Sequence, residues 1–110
     1  MKRYRIRIGP VAEEDMERLY RYTAVDLHEP ETAARLLRRI EDAIRGLEQL
    51  PERYRVSEFG VGHGEKLRRM LVGNWSVFYL VREDEVYVTD VLYSASDLSA
   101  HLRDRSEGKW

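Results

Sequence analysis

Polar and apolar residues alternate at the start of the chain. Tyr4, Ile6 and Ile8 interleave with Arg3, Arg5 and Arg7, a period of two that predicts a half-buried strand. Gly9-Pro10 ends it, and Pro10 suits the first turn of a following helix. The period then lengthens to that of a helix. Ala12, Met16, Leu19, Tyr20, Thr23 and Leu27 recur at this spacing, with Glu13, Glu14 and Asp15 in the first turn, where the helix dipole favours anions. His28-Glu29-Pro30 interrupts the pattern. A second helix begins near Glu31, with Ala33, Leu36, Leu37, Ile40, Ile44, Leu47 and Leu50 as its apolar stripe and Pro51 as its stop. The opposite face carries Arg35, Arg38, Arg39, Glu41, Asp42, Arg45 and Glu48. So short a connection makes the two helices antiparallel neighbours, a helical hairpin.

Residues 52–65 are less regular. Gly60, Gly62 and Gly64 mark a hinge, after a short extended piece around residues 55–59. Three strands follow at residues 66–72, 75–82 and 86–93, joined at Gly73-Asn74 and at residues 82–85, so that neighbours pair antiparallel. The middle strand is almost continuously apolar, which fits a strand covered on both faces. Ser94 or Ser96 is placed to cap a short final helix with Leu98 and Leu102 inside, and residues 106–110 read as a frayed tail. The expected architecture is a single α+β domain over residues 1–110. Its order is β-α-α-β-β-β with a short C-terminal helix, the helical hairpin packed on an antiparallel meander sheet.

Composition narrows the classes. A chain of 110 residues, 43% hydrophobic and 35% charged, has the makings of one globular core. It has no apolar run of membrane-spanning length and no export leader, so a cytoplasmic protein with no membrane partner is expected. The absence of cysteine excludes a disulfide framework and thiolate metal sites. His28, His63 and His101 lack metal-ligand spacing, so neither a metal nor a cofactor is expected. A formal charge of −1 does not make the whole molecule attractive to phosphate, although every basic residue except Lys2, Lys66 and Lys109 is arginine. The glycines at 60, 62 and 64 lack the strand–helix context of a phosphate loop, and the serines lack a nucleophile turn.

Several segments in this order resemble the RelE/ParE family of bacterial toxins from type II toxin–antitoxin systems. They are Tyr4–Pro10 leading into Ala12-Glu13-Glu14-Asp15, then Pro30-Glu31-Thr32-Ala33, and then the stripe ending Leu47-Glu48-Gln49-Leu50-Pro51. Leu71-Val72-Gly73-Asn74-Trp75-Ser76-Val77-Phe78-Tyr79 and Val91-Leu92-Tyr93-Ser94-Ala95-Ser96-Asp97-Leu98 complete the set. The resemblance covers nearly the whole chain, and the long hairpin bounded by Pro30 and Pro51 is more similar to the ParE branch. That branch implies a toxin that poisons DNA gyrase by contact and is neutralised by a cognate antitoxin. The RelE branch implies a ribosome-dependent mRNA endoribonuclease, and a third reading is a non-toxic binding module. Ser76, Ala95 and Ser96 stand where the family often carries arginine, which counts against the nuclease. Assembly as a homo-oligomer or as a toxin–antitoxin hetero-oligomer is compatible with the resemblance.

A metal-free ribonuclease needs a group to activate the ribose 2′-hydroxyl, cations for the developing phosphorane and an acid for the leaving oxygen. Lys66, Arg68, Arg69, Tyr93 and His101 are the residues that would have to converge for this, at one end of the sheet, with Arg68 and Arg69 on opposite faces by strand parity. The plainer account is preferred: a solvated strand start, a core-capping tyrosine and a surface histidine. An antitoxin surface would draw on the cations Arg3, Arg5, Arg7, Arg38 and Arg45, which suit an acidic partner, and on Leu19 and Tyr20. Tyr20 and Tyr22, with Leu19, are otherwise expected in core and hairpin packing.

Overall fold

A computed structural model describes residues 2–59 and 66–106. Strand β1 (Arg5–Ile8) runs into helix α1 (Pro10–Arg21), which continues as a π-helical turn (Tyr22–Asp26). Pro30 opens helix α2 (Pro30–Arg45), which tightens into a 3-10 turn (Gly46–Glu48), followed by a second such turn (Pro51–Arg53). Strands β2 (Arg68–Val72), β3 (Trp75–Arg82) and β4 (Glu85–Tyr93) lead to helix α3 (Leu98–Ser106). The expected order of elements is therefore present. Residues 55–57 run beside the start of β2, where Val56 bridges Arg68 and the Ser57 N–H donates to the Leu67 carbonyl at 2.6 Å. Gly60, Gly62, Gly64, His63 and the tail beyond Ser106 lie outside the described residues.

The four strands lie in the order β1-β4-β3-β2. The two C-terminal hairpins are antiparallel, but β1 pairs parallel with β4, Arg5 opposite Glu85 and Ile8 opposite Val88. The first turn sets Gly73 at φ +59, the position at which a type II′ hairpin requires glycine. The second is shorter than expected, because Glu83 and Asp84 alone make it and Glu85 already belongs to β4.

The ladder between β3 and β4 slips between Phe78 and Tyr79: Phe78 faces Asp90 and Tyr79 faces Val88, leaving Thr89 as a bulge residue. The Thr89 hydroxyl donates to the Phe78 carbonyl at 3.2 Å. The bulge flips the parity of β4, so Val86, Val88 and Val91 all face one core while Leu92 faces another.

The larger core lies under the hairpin, with Ala12, Met16 and Leu19 of α1 and Ile40 and Ile44 of α2 against Met70, Val77, Tyr79 and Val88. The smaller core joins Leu98 and Leu102 of α3 to Phe78, Leu80 and Leu92 on the opposite face. The central strand is thus buried on both sides. Asp97, and neither Ser94 nor Ser96, caps α3: its Oδ1 accepts the Ala100 N–H at 3.1 Å. The Ser96 hydroxyl donates instead to the Tyr93 carbonyl at 2.6 Å.

Candidate functional site

Trp75 opens β3 directly after the Gly73-Asn74 turn and lies opposite Tyr93, the last residue of β4. The two rings meet edge to face at 5.5 Å and 65°. Two depressions share Trp75 as a lining residue, and the pair of them is the candidate groove. The first, of about 280 Å³, lies between the end of α1, the end of β4 and α3, with Leu19, Tyr22, Trp75, Val91 and Tyr93 as its apolar lining. The second, of about 470 Å³, lies between the N-terminal half of α2 and the β2–β3 turn, lined by Thr32, Arg35, Leu36, Arg39, Gly73, Asn74 and Trp75. Tyr22 and Tyr93 stand half exposed at 54% and 46%, which leaves an aromatic surface facing solvent.

The charges on the groove's banks are mostly positive. Arg18 pairs with Asp15 at 3.1 Å, and Arg35 donates to the Thr32 hydroxyl at 3.3 Å. Arg39 has no hydrogen-bond or ion-pair partner among the described residues. Its guanidinium lies across the turn, so that a Cβ on Gly73 would sit 3.1 Å from Nη1. An aromatic floor beside an unpaired planar cation suits a polypeptide segment with an apolar anchor and a carboxylate.

A buried polar network fixes one wall of this groove. The Arg105 guanidinium on α3 donates to Asp15 at 2.7 and 2.8 Å and to Asp90 at 2.8 Å. Asp15 also accepts the Val91 N–H at 2.9 Å, on β4 beyond the last residue that β1 pairs. Asp15 is thus buried, and not simply an exposed first-turn acid. Burial pushes the Asp90 carboxyl above its usual range, only partly offset by Arg105, and its Oδ2 has no partner among the described residues. Burial alone would lower Arg105, but the bonds to Asp15 and Asp90 outweigh it and hold the guanidinium above its ordinary value.

The residues suggested for ribonuclease chemistry do not come together. Lys66 is exposed ahead of β2. Arg68 donates to the Glu52 and Tyr54 carbonyls at 3.2 and 2.7 Å, holding the segment after α2. Arg69 turns to the other face, where its Nε donates to Ser76 Oγ at 2.9 Å and Ser76 Oγ lies 2.7 Å from Ser94 Oγ. Tyr93 and His101 do share the smaller depression, although Tyr93 is too exposed to cap a core. Among the described residues no three His, Asp or Glu side chains cluster as metal ligands.

The suggested antitoxin surface is also dispersed. Arg3, Arg5 and Arg7 are exposed and pair with Glu48, Asp84 and Glu85 at 3.6, 3.3 and 3.7 Å. Arg38 and Arg45 face solvent on α2, Arg45 paired with Asp42 at 2.8 Å. Leu19 is core, with one edge in the groove. Tyr20 and Tyr22 are surface residues, contrary to their expected burial, because the helix turns Leu19 and Thr23 inward instead. Nothing in the sequence marks Trp75, Tyr22, Arg35 and Arg39 as a set, although Arg35 and Arg39 are spaced to share one face of a helix.

The model of the family described as "ParE toxin of type II toxin-antitoxin system, parDE" matches residues 6–98. Among solved structures the chain is similar to one from the chromosomal ParDE toxin–antitoxin system of P. aeruginosa. The TM-score is 0.70 at 20% identity, covering 82% of this chain and 95% of that one. It is also similar to one in the archaeal RelE-RelB complex from Pyrococcus horikoshii OT3, with TM-score 0.56 at 20% identity over 84% of this chain and 96% of that one. Identities this low speak for the fold alone. No curated protein sequence matches the chain. No described helix is long and apolar enough to cross a membrane.

Proposed function

The chain belongs to the ParE toxin family of type II toxin–antitoxin systems, and on that premise we propose that it arrests growth by binding DNA gyrase and is restrained by a cognate antitoxin whose C-terminal segment fills the groove at Trp75. The observation that carries the antitoxin half is the groove itself: Trp75 and Tyr93 on its floor, Tyr22 at its edge and the unpaired Arg39 above. A disordered segment that folds on binding gains most where an apolar anchor and one charged contact coincide. The two similar structures come from a ParDE system and a RelE-RelB complex, which supports a protein antitoxin as partner.

Action by contact suits this chain better than RNA cleavage. Arg68 is held by backbone carbonyls, and Ser76 and Ser94 occupy the place beside Arg69 where further cations would be needed. The test has two arms. Purified gyrase should lose supercoiling activity and accumulate cut DNA as the protein is added, whereas a defined message in a translating extract should stay intact. Cleaved message with unaffected gyrase would reverse the assignment, and normal growth on induced expression of soluble protein would leave only a binding module.

A further inference from the structure

A second cleft opens on the helical hairpin and shares no residue with the groove at Trp75. It measures about 350 Å³, with Ile8 at the end of β1, Met16 on α1 and Leu37 on α2 as its apolar floor. Tyr20, 38% exposed, stands at its edge. Glu13, Glu17 and Glu41 surround it. Glu17 pairs with Arg21 at 2.5 Å, but Glu13 and Glu41 have no partner among the described residues. The hairpin is therefore zoned: unpaired carboxylates border this cleft, and the unpaired Arg39 borders the other.

We propose that this cleft docks a basic amphipathic segment of a partner protein. One aliphatic side chain enters between Met16 and Leu37, and lysines or arginines beside it reach Glu13 and Glu41. Charge selects this occupant. An acidic segment would be repelled by the two free carboxylates, and a purely apolar one would cover them without giving them partners. The exposed Tyr20 ring adds a face on which a cation can rest. The β1 edge of a second copy is a poorer fit, because its cations, Arg3, Arg5 and Arg7, are already paired with acids of their own. The docking stands apart from the gyrase and antitoxin assignments and does not depend on them.

The test uses isotope-labelled full-length chain and two synthetic helical peptides, identical in their leucine face but carrying lysine in one and glutamate in the other. The lysine peptide should shift the amide resonances of Ile8, Met16, Tyr20 and Leu37 and bind roughly tenfold or more tightly than the glutamate peptide. Glu13→Lys/Glu41→Lys should remove that preference, and the milder Glu13→Gln/Glu41→Gln pair should reduce it without disturbing these exposed helix positions. Equal binding of both peptides, shifts centred on Trp75, or an affinity indifferent to both double variants would overturn the proposal. A dimer of the chain alone that Glu41→Lys dissociates would also overturn it, by giving the cleft to a second copy.

Discussion

Arg105 and Asp15 stand 90 positions apart and are joined by two hydrogen bonds of 2.7 and 2.8 Å. The pair ties α3, on one face of the sheet, to α1 on the other, around the stretch of β4 that β1 leaves unpaired. Since Asp15 and His101 both line the smaller depression, the same tie sets the shape of the groove.

Removing the cation should be costly. Arg105→Ala removes the ion-pair partner of buried Asp90 and leaves Asp15 with only Arg18 and the Val91 N–H, and a loss of about 3–5 kcal/mol in urea-denaturation stability is expected. The deficit should depend on pH. A carboxyl whose folded pKa is raised, as that of Asp90 is by burial, binds its proton more tightly in the folded state. Its ionisation therefore costs stability once the pH rises above the ordinary value of 3.8. Without Arg105 that cost grows, so the gap between variant and parent should narrow as the pH falls from neutrality. A gap that widens toward acid would contradict the network.

Tyr79 gives a prediction at the alkaline end. Its hydroxyl donates to the Pro51 carbonyl at 2.6 Å, and burial pushes it well above its ordinary 10.0. The folded state thus holds this proton where the unfolded chain releases it, and stability should fall as the pH rises past 10. Tyr79→Phe should cost about 1–2 kcal/mol near neutrality and flatten the alkaline limb. Thermal unfolding across pH checks both.

Gly9 is required for space. A Cβ there would lie 2.5 Å from the Tyr87 hydroxyl oxygen and 2.8 Å from ring carbon Cζ. The Tyr87 ring would have to shift to make room, away from a position in which the guanidinium groups of Arg7 and Arg82 lie 5.8 and 5.5 Å from its centroid. Gly9→Ala should lower stability by about 1–3 kcal/mol, read as a fall in unfolding midpoint.

The Trp75 groove makes its own demand on charge. Reversing this cation by Arg39→Glu should weaken antitoxin binding by roughly tenfold or more with little effect on unfolding, because exposed Arg39 makes no hydrogen bond or ion pair among the described residues. Raised salt should slow association more than it speeds dissociation. Surface-plasmon kinetics at two ionic strengths separates these effects.

Much of the fold was legible because two periods dominate the sequence. The apolar stripe from Ala33 to Ile44 and the prolines at 10 and 30 leave little freedom in where the helices begin, but α2 ends at Arg45, short of the stop expected at Pro51, and Leu50 is exposed with a left-handed backbone. The parallel pairing of β1 with β4 was not legible, since nothing local encodes which edge a first strand joins. Nor was the bulge at Thr89, because β4 from Val86 to Leu92 is buried on both faces apart from Tyr87 and shows no alternation to break. The site was less legible than the fold. The helix dipole accounts for an acid at Asp15 but not for its burial, which rests on the distant Arg105 and on the Val91 N–H. Trp75 and Arg39 likewise become neighbours only when the β2–β3 turn packs beneath α2.

Trp75 also supplies the most direct test of the central claim that this groove holds a partner polypeptide. The chain has two tryptophans, so Trp110→Phe leaves Trp75 as the only reporter. On titration with the C-terminal segment of the cognate antitoxin, Trp75 emission should shift to shorter wavelength in a saturable manner, with the midpoint moved to higher concentration by Arg39→Glu. Tight binding of that segment with Trp75 emission unchanged would contradict the account.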